Sequence, residues 1–214
     1  MAMVGFNPEE VNRSINSVIR AYEQLYDAID VRVQSSFFEG MSDKWACPQA
    51  QVFFSKAEEV LVSIVNSSNQ VFTSVVDSMN SAGAAWAQQT DAEYTSVQFQ
   101  ASASTLDSSC ILENIGGVRG IDVASAESTS TSALTTVLNS SNSALDSAVS
   151  AVANSGFIGG NMQANLISSL NTIKSHINSA VTDITNALKS AVSETVAAYG
   201  DTEGRVSQAF AGTN

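Results

Sequence analysis

One histidine, His176, two cysteines, Cys47 and Cys110, and two prolines, Pro8 and Pro48, are all that this chain of 214 residues holds of those three types. A single histidine would have to serve any hydrolytic triad, and no serine lies in a Gly-x-Ser-x-Gly turn. Two cysteines and one histidine make no paired spacing of the kind that holds zinc. His176 follows Ile173 and precedes Ile177 in a helical pattern, which is the setting of an ordinary helix-surface histidine. No catalytic residue, metal site or cofactor is therefore expected, and the chain is not read as an enzyme. Cys47 and Cys110 can be free thiols or can pair in an exported protein; the sequence does not bring them together.

Basic residues are also few. Nine stand against twenty-one acidic ones, for a net charge of −12. That balance argues against nucleic acid or an anionic membrane surface as partner. No apolar run approaches the roughly 18 residues that a membrane-spanning helix needs. Met1 to Glu10 lacks a basic start, and Glu9 and Glu10 precede any hydrophobic segment. That start is unlike a secretory leader, so export would need a leaderless route.

The chain does hold long stretches of helical periodicity. Asn7-Pro8-Glu9-Glu10 reads as a helix start: Asn7 can cap, Pro8 suits the first position, and Glu10 can reach back to the cap. Val11, Ile15, Val18, Tyr22, Leu25 and Ile29 then alternate spacings of four and three, a heptad seam. Val33 and Phe37 continue it less strictly, and the helix is expected to end near Phe38, before Glu39-Gly40. A turn over 39–48 carries Trp45, and Pro48 opens a second helix.

That second helix has a seam through Phe53, Ala57, Val60, Ile64, Val71, Val75, Met79, Ala82 and Trp86. Phe54, Leu61, Phe72 and Val76 widen its apolar face, as a four-helix bundle requires. The pattern weakens past Tyr94 and Val97. Residues 99–120, with Gly116, Gly117 and Gly120, read as a linker, and no phosphate-loop pattern is present. A third helix is expected to begin between Asp122 and Ser128, with a seam through Leu134, Leu138, Ser141, Leu145, Ala148 and Val152. A second aromatic turn over 154–161 holds Phe157. A fourth helix, capped by Asn161, runs through Leu166, Leu170, Ile173, Ile177, Val181, Ile184, Leu188 and Val192 to Tyr199, with Gly200 near its end.

The two halves match. Forty-one positions separate Trp45 from Trp86, and 42 separate Phe157 from Tyr199. Ala84-Ala85-Trp86 answers Ala197-Ala198-Tyr199. Each half, 1–98 and 121–214, is thus a helix–aromatic turn–helix unit repeated with divergence. The fold class expected is all-α, with two hairpins packed antiparallel as a single-chain four-helix bundle.

These residues resemble the WXG proteins of type VII (ESX-like) secretion, small helical hairpins with a Trp-x-Gly turn and a Tyr-x-x-x-Asp/Glu signal after the second helix. Trp45-Ala46-Cys47 resembles the turn with cysteine in the glycine place. Phe157-Ile158-Gly159 resembles it with Phe157 in the tryptophan place. Tyr199 and Glu203 fit the secretion signal. Trp86 stands at the tyrosine place of the first half, where the residue four on is Thr90, so that copy of the signal is degenerate. The chain looks like a tandem fusion of two such units, making alone the bundle that the family makes from two chains.

The resemblance implies a protein held in a bacterial cytoplasm and then secreted or displayed at the cell surface. It would leave folded, as substrate, partner or escort, recognised by an FtsK/SpoIIIE-type ATPase and in some cases accompanied by a co-secreted effector. The alternative is a structural or adhesin-type helical bundle, or the helical stalk of a surface protein or toxin. The bundle is expected to be a monomeric pseudo-heterodimer. A linker of 22 residues spans about 70 Å when extended, enough to carry the chain back along a helix of about 46 Å. The hairpins then lie antiparallel, and Trp45, Tyr199 and Glu203 are expected to share one exposed composite surface. The Trp86–Phe157 end is expected to be its silent copy.

Overall fold

The computed structural model describes residues 5–158 and 161–211, with side chains over 6–157 and 161–201. Asn7 begins the first rod as its sequence predicts: its side-chain oxygen accepts from the Glu10 N–H at 3.2 Å, and Pro8 takes the first position of α1 (Pro8–Tyr26). Val11, Ile15, Val18, Tyr22 and Leu25 are buried along one stripe. The rod then continues as two π-helical segments, Asp27–Val31 and Val33–Phe38, and a short α2 (Glu39–Met41). Wider π turns take more residues each than α turns. That is why Ile29, Val33 and Phe37, spaced by four and four, all stay buried where a strict heptad fails. The rod ends at Met41 rather than near Phe38, because Gly40 remains helical; a Cβ there would lie 3.3 Å from Thr129.

β2 (Trp45–Ala46) crosses the turn, and Pro48 opens α3 (Pro48–Thr90). Asp91, in the left-handed conformation at φ 53°, ends it. Tyr94 and Val97 therefore belong to the connection and not to a helix tail. The deep residues of α3 are Phe54, Leu61, Val65, Phe72, Val76 and Met79; Val60 is 42 % exposed, and Ile64 and Val71 are only half-buried. The seam drawn through Val60, Ile64 and Val71 is an edge. α3 packs against both the first rod and α5, so the middle of its wide apolar face points inward.

Asp122 caps α4 (Val123–Ala153), accepting from the Ser125 N–H at 3.1 Å and its hydroxyl at 2.7 Å. α5 (Met162–Ala211) runs well past Tyr199. The expected stop at Gly200 does not occur. A helix-ending glycine needs a positive φ, and among the described residues only Asp91, Gly116 and Gly117 have one; a glycine inside an exposed helix costs only about 1 kcal/mol.

Two short pairings fix the topology. β1 (Gly5–Phe6) pairs antiparallel with β4 (Phe157–Ile158), and β2 pairs antiparallel with β3 (Gly120–Ile121). The segment leading into α1 therefore lies beside the second turn, and the start of α4 lies beside the first. The first rod packs on α3 and α4, and α5 packs on α3 and α4. Every neighbouring pair is antiparallel, giving an all-α four-helix bundle made of two antiparallel hairpins. One continuous apolar core runs its length. Among the described residues, no helix is long and apolar enough to cross a membrane.

Candidate functional site at the turn end

Trp45 is fully buried. Its indole stacks on Phe53 with ring centroids 5.8 Å apart and meets Phe54 edge-on at 5.9 Å. The β2–β3 pairing, with Trp45 opposite Ile121 and the Lys44 carbonyl accepting from the Asp122 N–H at 2.8 Å, lays the start of the second half over the turn. Trp45 is thus no part of an exposed composite surface. It is covered because the chain returns across it. Among the described residues, the indole Nε1 has no hydrogen-bond partner. Ala46 and Cys47 are buried as well, and Cys47 and Cys110 are both free thiols.

Tyr199 does reach this end. It is 38 % exposed, and burial pushes its phenol above the ordinary value, with Cys47 adding to the rise and Arg119 opposing it. The tyrosine therefore lies near the first turn and near the loop that precedes β3. That loop folds on Ile115 and Val118, which bond each other's backbones across Gly116 and Gly117 at φ 59° and 84°. Arg119 pairs with Glu113. Leu112, Ile115 and Val118 of the loop are exposed, as is Val196 one turn before Tyr199 on α5. The side chain of Glu203 lies outside the described residues, as do that of Ile158 and the whole of Gly159. At the opposite end Phe157 is buried and stacks on Phe6 at 6.2 Å, which also meets Tyr94 at 5.9 Å; Trp86 is half-buried.

A second constellation escaped the sequence reading. The connection from Ala92 to Arg119 is no free linker but an extended strap laid between the first rod and α3. Asn80 holds Val97 by both backbone groups, donating to its carbonyl at 2.8 Å and accepting from its N–H at 2.9 Å. Asn69 donates to the Ser102 carbonyl at 2.7 Å, and the Ser102 N–H donates to the Tyr22 hydroxyl at 2.6 Å. Tyr26 donates to the Ala103 carbonyl at 2.7 Å. Asp30, fully buried in the first π segment, accepts from the Ser104 hydroxyl at 2.6 Å and from the Thr105 N–H and hydroxyl at 3.0 and 2.5 Å. Gln34 brackets Asp107, accepting at 2.9 Å and donating at 3.2 Å. Glu58 accepts from the Ser108 N–H and hydroxyl at 2.8 and 2.5 Å.

The spacing explains the fit. Glu58, Asn69 and Asn80 are eleven apart, three helical turns, and so share one stripe of α3. Tyr22, Tyr26, Asp30 and Gln34 are four apart, a spacing that would drift around an α-helix but stays aligned once the rod turns π-helical. From Asn80 to Glu58 the helix rises about 33 Å; eleven strap residues from Val97 to Ser108 reach about 36 Å at full stretch. The signal in the sequence was an acid, Asp30, one residue past the seam position Ile29, together with amides recurring at helical intervals on the next helix.

No protein-family model, no curated protein and no solved structure matches the chain.

Proposed function

We propose that the chain is a substrate, partner or escort of a bacterial type VII secretion system, two WXG-like hairpins fused into one polypeptide and exported folded. Tyr199 and Glu203 are its signal to an FtsK/SpoIIIE-type ATPase, and the Trp45-Ala46-Cys47 turn is the structural floor beneath that signal. The observation that carries the reading is the exposed Tyr199 close to Cys47 at the end where the first turn and the start of α4 meet. An exposed aromatic at such a junction, with exposed Val196 one turn before it on the same helix, is a surface suited to docking. Trp45 then acts by packing, and a docked ATPase touches Tyr199 and Val196.

Export from the native host tests this. Tyr199→Ala and Glu203→Ala are each expected to abolish export while leaving helix content and cytoplasmic level unchanged, and Trp86→Phe is expected to be exported normally. Export that persists without both Tyr199 and Glu203 would return the protein to the structural or adhesin-type bundle.

A further inference from the structure

The strap is bound the way a peptide ligand is bound, and this observation is independent of the export reading. Its partners on the two helices mostly address its main chain: Asn80, Asn69, Tyr22, Tyr26 and Gln34 all meet backbone N–H or carbonyl groups. Main-chain recognition of an extended segment tolerates sequence change, and pockets at intervals supply selectivity. The intervals are visible. Tyr94, Val97, Phe99 and Leu106 pack inward, while Thr95, Gln98, Gln100 and Ser102 face solvent. Tyr94 fits a notch left by Gly83, where a Cβ would lie 2.5 Å from its ring.

Charge and hydroxyl groups sharpen the selectivity. Residues 94–106 of the strap carry no charge at all. The groove meets them with one carboxylate, the fully buried Asp30, which accepts from Ser104 and Thr105. A segment with an acid there would bring like charge against a buried carboxylate. One with an apolar pair would leave that buried carboxylate short of donors.

We propose that the cleft between the first rod and α3 is a peptide-binding groove, occupied in this state by the chain's own strap, and that its partner is an extended, uncharged segment of a second polypeptide. That segment carries an aromatic at the Phe99 place and a Ser-Thr pair five residues on, opposite Asp30. Both ends of the strap suit release without unwinding a helix. Asp91 ends α3 in a left-handed turn, and the Gly116-Gly117 loop has open space around it.

The probe is a fluorescein-labelled peptide of residues 93–111, titrated into the full chain. The receiving variant weakens the strap and leaves the groove intact: Phe99→Ser with Ser104→Ala and Thr105→Val. The labelled peptide is expected to bind this variant saturably, one to one. Wild type is expected to bind it at least roughly tenfold more weakly, because its tethered strap competes at an effective concentration near millimolar. Peptide carrying Ser104→Ala and Thr105→Val is expected to lose that binding, as is the receiving variant with Asp30→Asn added. A folded, monomeric receiving variant that ignores the peptide, or binds the altered peptide equally well, overturns the proposal. If the variant does not fold, amide exchange of the wild-type chain decides. The proposal requires the N–H groups of Val97, Ser102 and Thr105 to exchange through an opening that spares the helix amides. Exchange of both sets only together, through global unfolding, overturns it.

Discussion

Trp45 holds its ring against Phe53 and Phe54 while its N–H is buried without an acceptor among the described residues. The two halves of that residue therefore pull in opposite directions. The ring contributes packing that a large-to-small change would forfeit, about 3–5 kcal/mol for Trp45→Ala. The N–H is a desolvated donor that returns nothing. Trp45→Phe keeps most of the ring and deletes the orphaned donor, so it is expected to stay within about 1.5 kcal/mol of the parent. Urea unfolding of both variants measures this. A Phe variant as damaged as the Ala variant would mean that the N–H has a role in the folded chain. The same pair bears on export. If Trp45 acts through packing alone, Trp45→Phe leaves export intact.

Depth also separates residues that the sequence ranks alike. Ile64 and Ile177 both sit on apolar stripes, but Ile177 is 1 % exposed and Ile64 is half-buried on the rim of α3. Ile177→Ala is expected to cost about 2–5 kcal/mol, and Ile64→Ala roughly 1 kcal/mol. Thermal unfolding of the two variants checks the order.

Among the elements, α4 and α5 were the most legible in sequence. Their seams, from Leu134 to Val152 and from Leu166 to Val192, are buried as drawn, apart from the half-buried Leu138. Each faces its neighbours with a narrow stripe, and a narrow stripe is what periodicity measures. The first rod and α3 were less legible because they also hold the strap. Tyr22 and Asn69 look like a seam aromatic and a surface amide, yet they bond each other at 2.9 Å and both bond Ser102. A π-helical insertion leaves no distinctive composition, so the stretch 27–38 read only as a slackened heptad. At the candidate site, the helical run into Tyr199 was readable from spacing. The burial of Trp45 was not, because it depends on Ile121 of β3, a partner 76 positions away whose pairing no local pattern announces.

The strap gives the bundle an alkaline response. Burial, and next the Asp30 carboxylate, push the Tyr26 phenol above its usual 10.0, and burial does the same for Tyr94. Because the folded chain keeps these phenols protonated to higher pH than the unfolded chain does, their contribution is fully present below pH 10. It is lost as pH rises through the folded values. Both hydroxyls donate, Tyr26 to the Ala103 carbonyl and Tyr94 to Asn80, so ionisation also removes strap contacts. Stability is expected to fall above pH 10, and Tyr26→Phe is expected to shallow that fall. Urea midpoints measured across an alkaline series test it, and a fall of unchanged steepness in the variant would assign the effect elsewhere.

For the whole molecule, the question is whether the covalent link or the shared core holds the halves together. The core cluster draws on every rod, and each hairpin's apolar face is covered by the other hairpin. Because the hairpins cover each other's apolar faces within one chain, light scattering is expected to report the 22.4 kDa of one chain. The strap supplies a stricter test. Its last turn, at Gly116-Gly117, has positive φ at both glycines and open space around them, so a protease site inserted there should be cut without strain on the fold. Cleavage leaves 1–116 with the strap still in its groove and 117–214 with β3 still against β2. The two pieces lose only the tether, whose effective concentration is of order millimolar, and keep the interface of a four-helix bundle. They are expected to co-elute as one particle of unchanged mass and to separate only with the loss of helical signal. Pieces that part while each remains helical would show that each hairpin stands alone. The pseudo-heterodimer would then be a tethered pair and not one core.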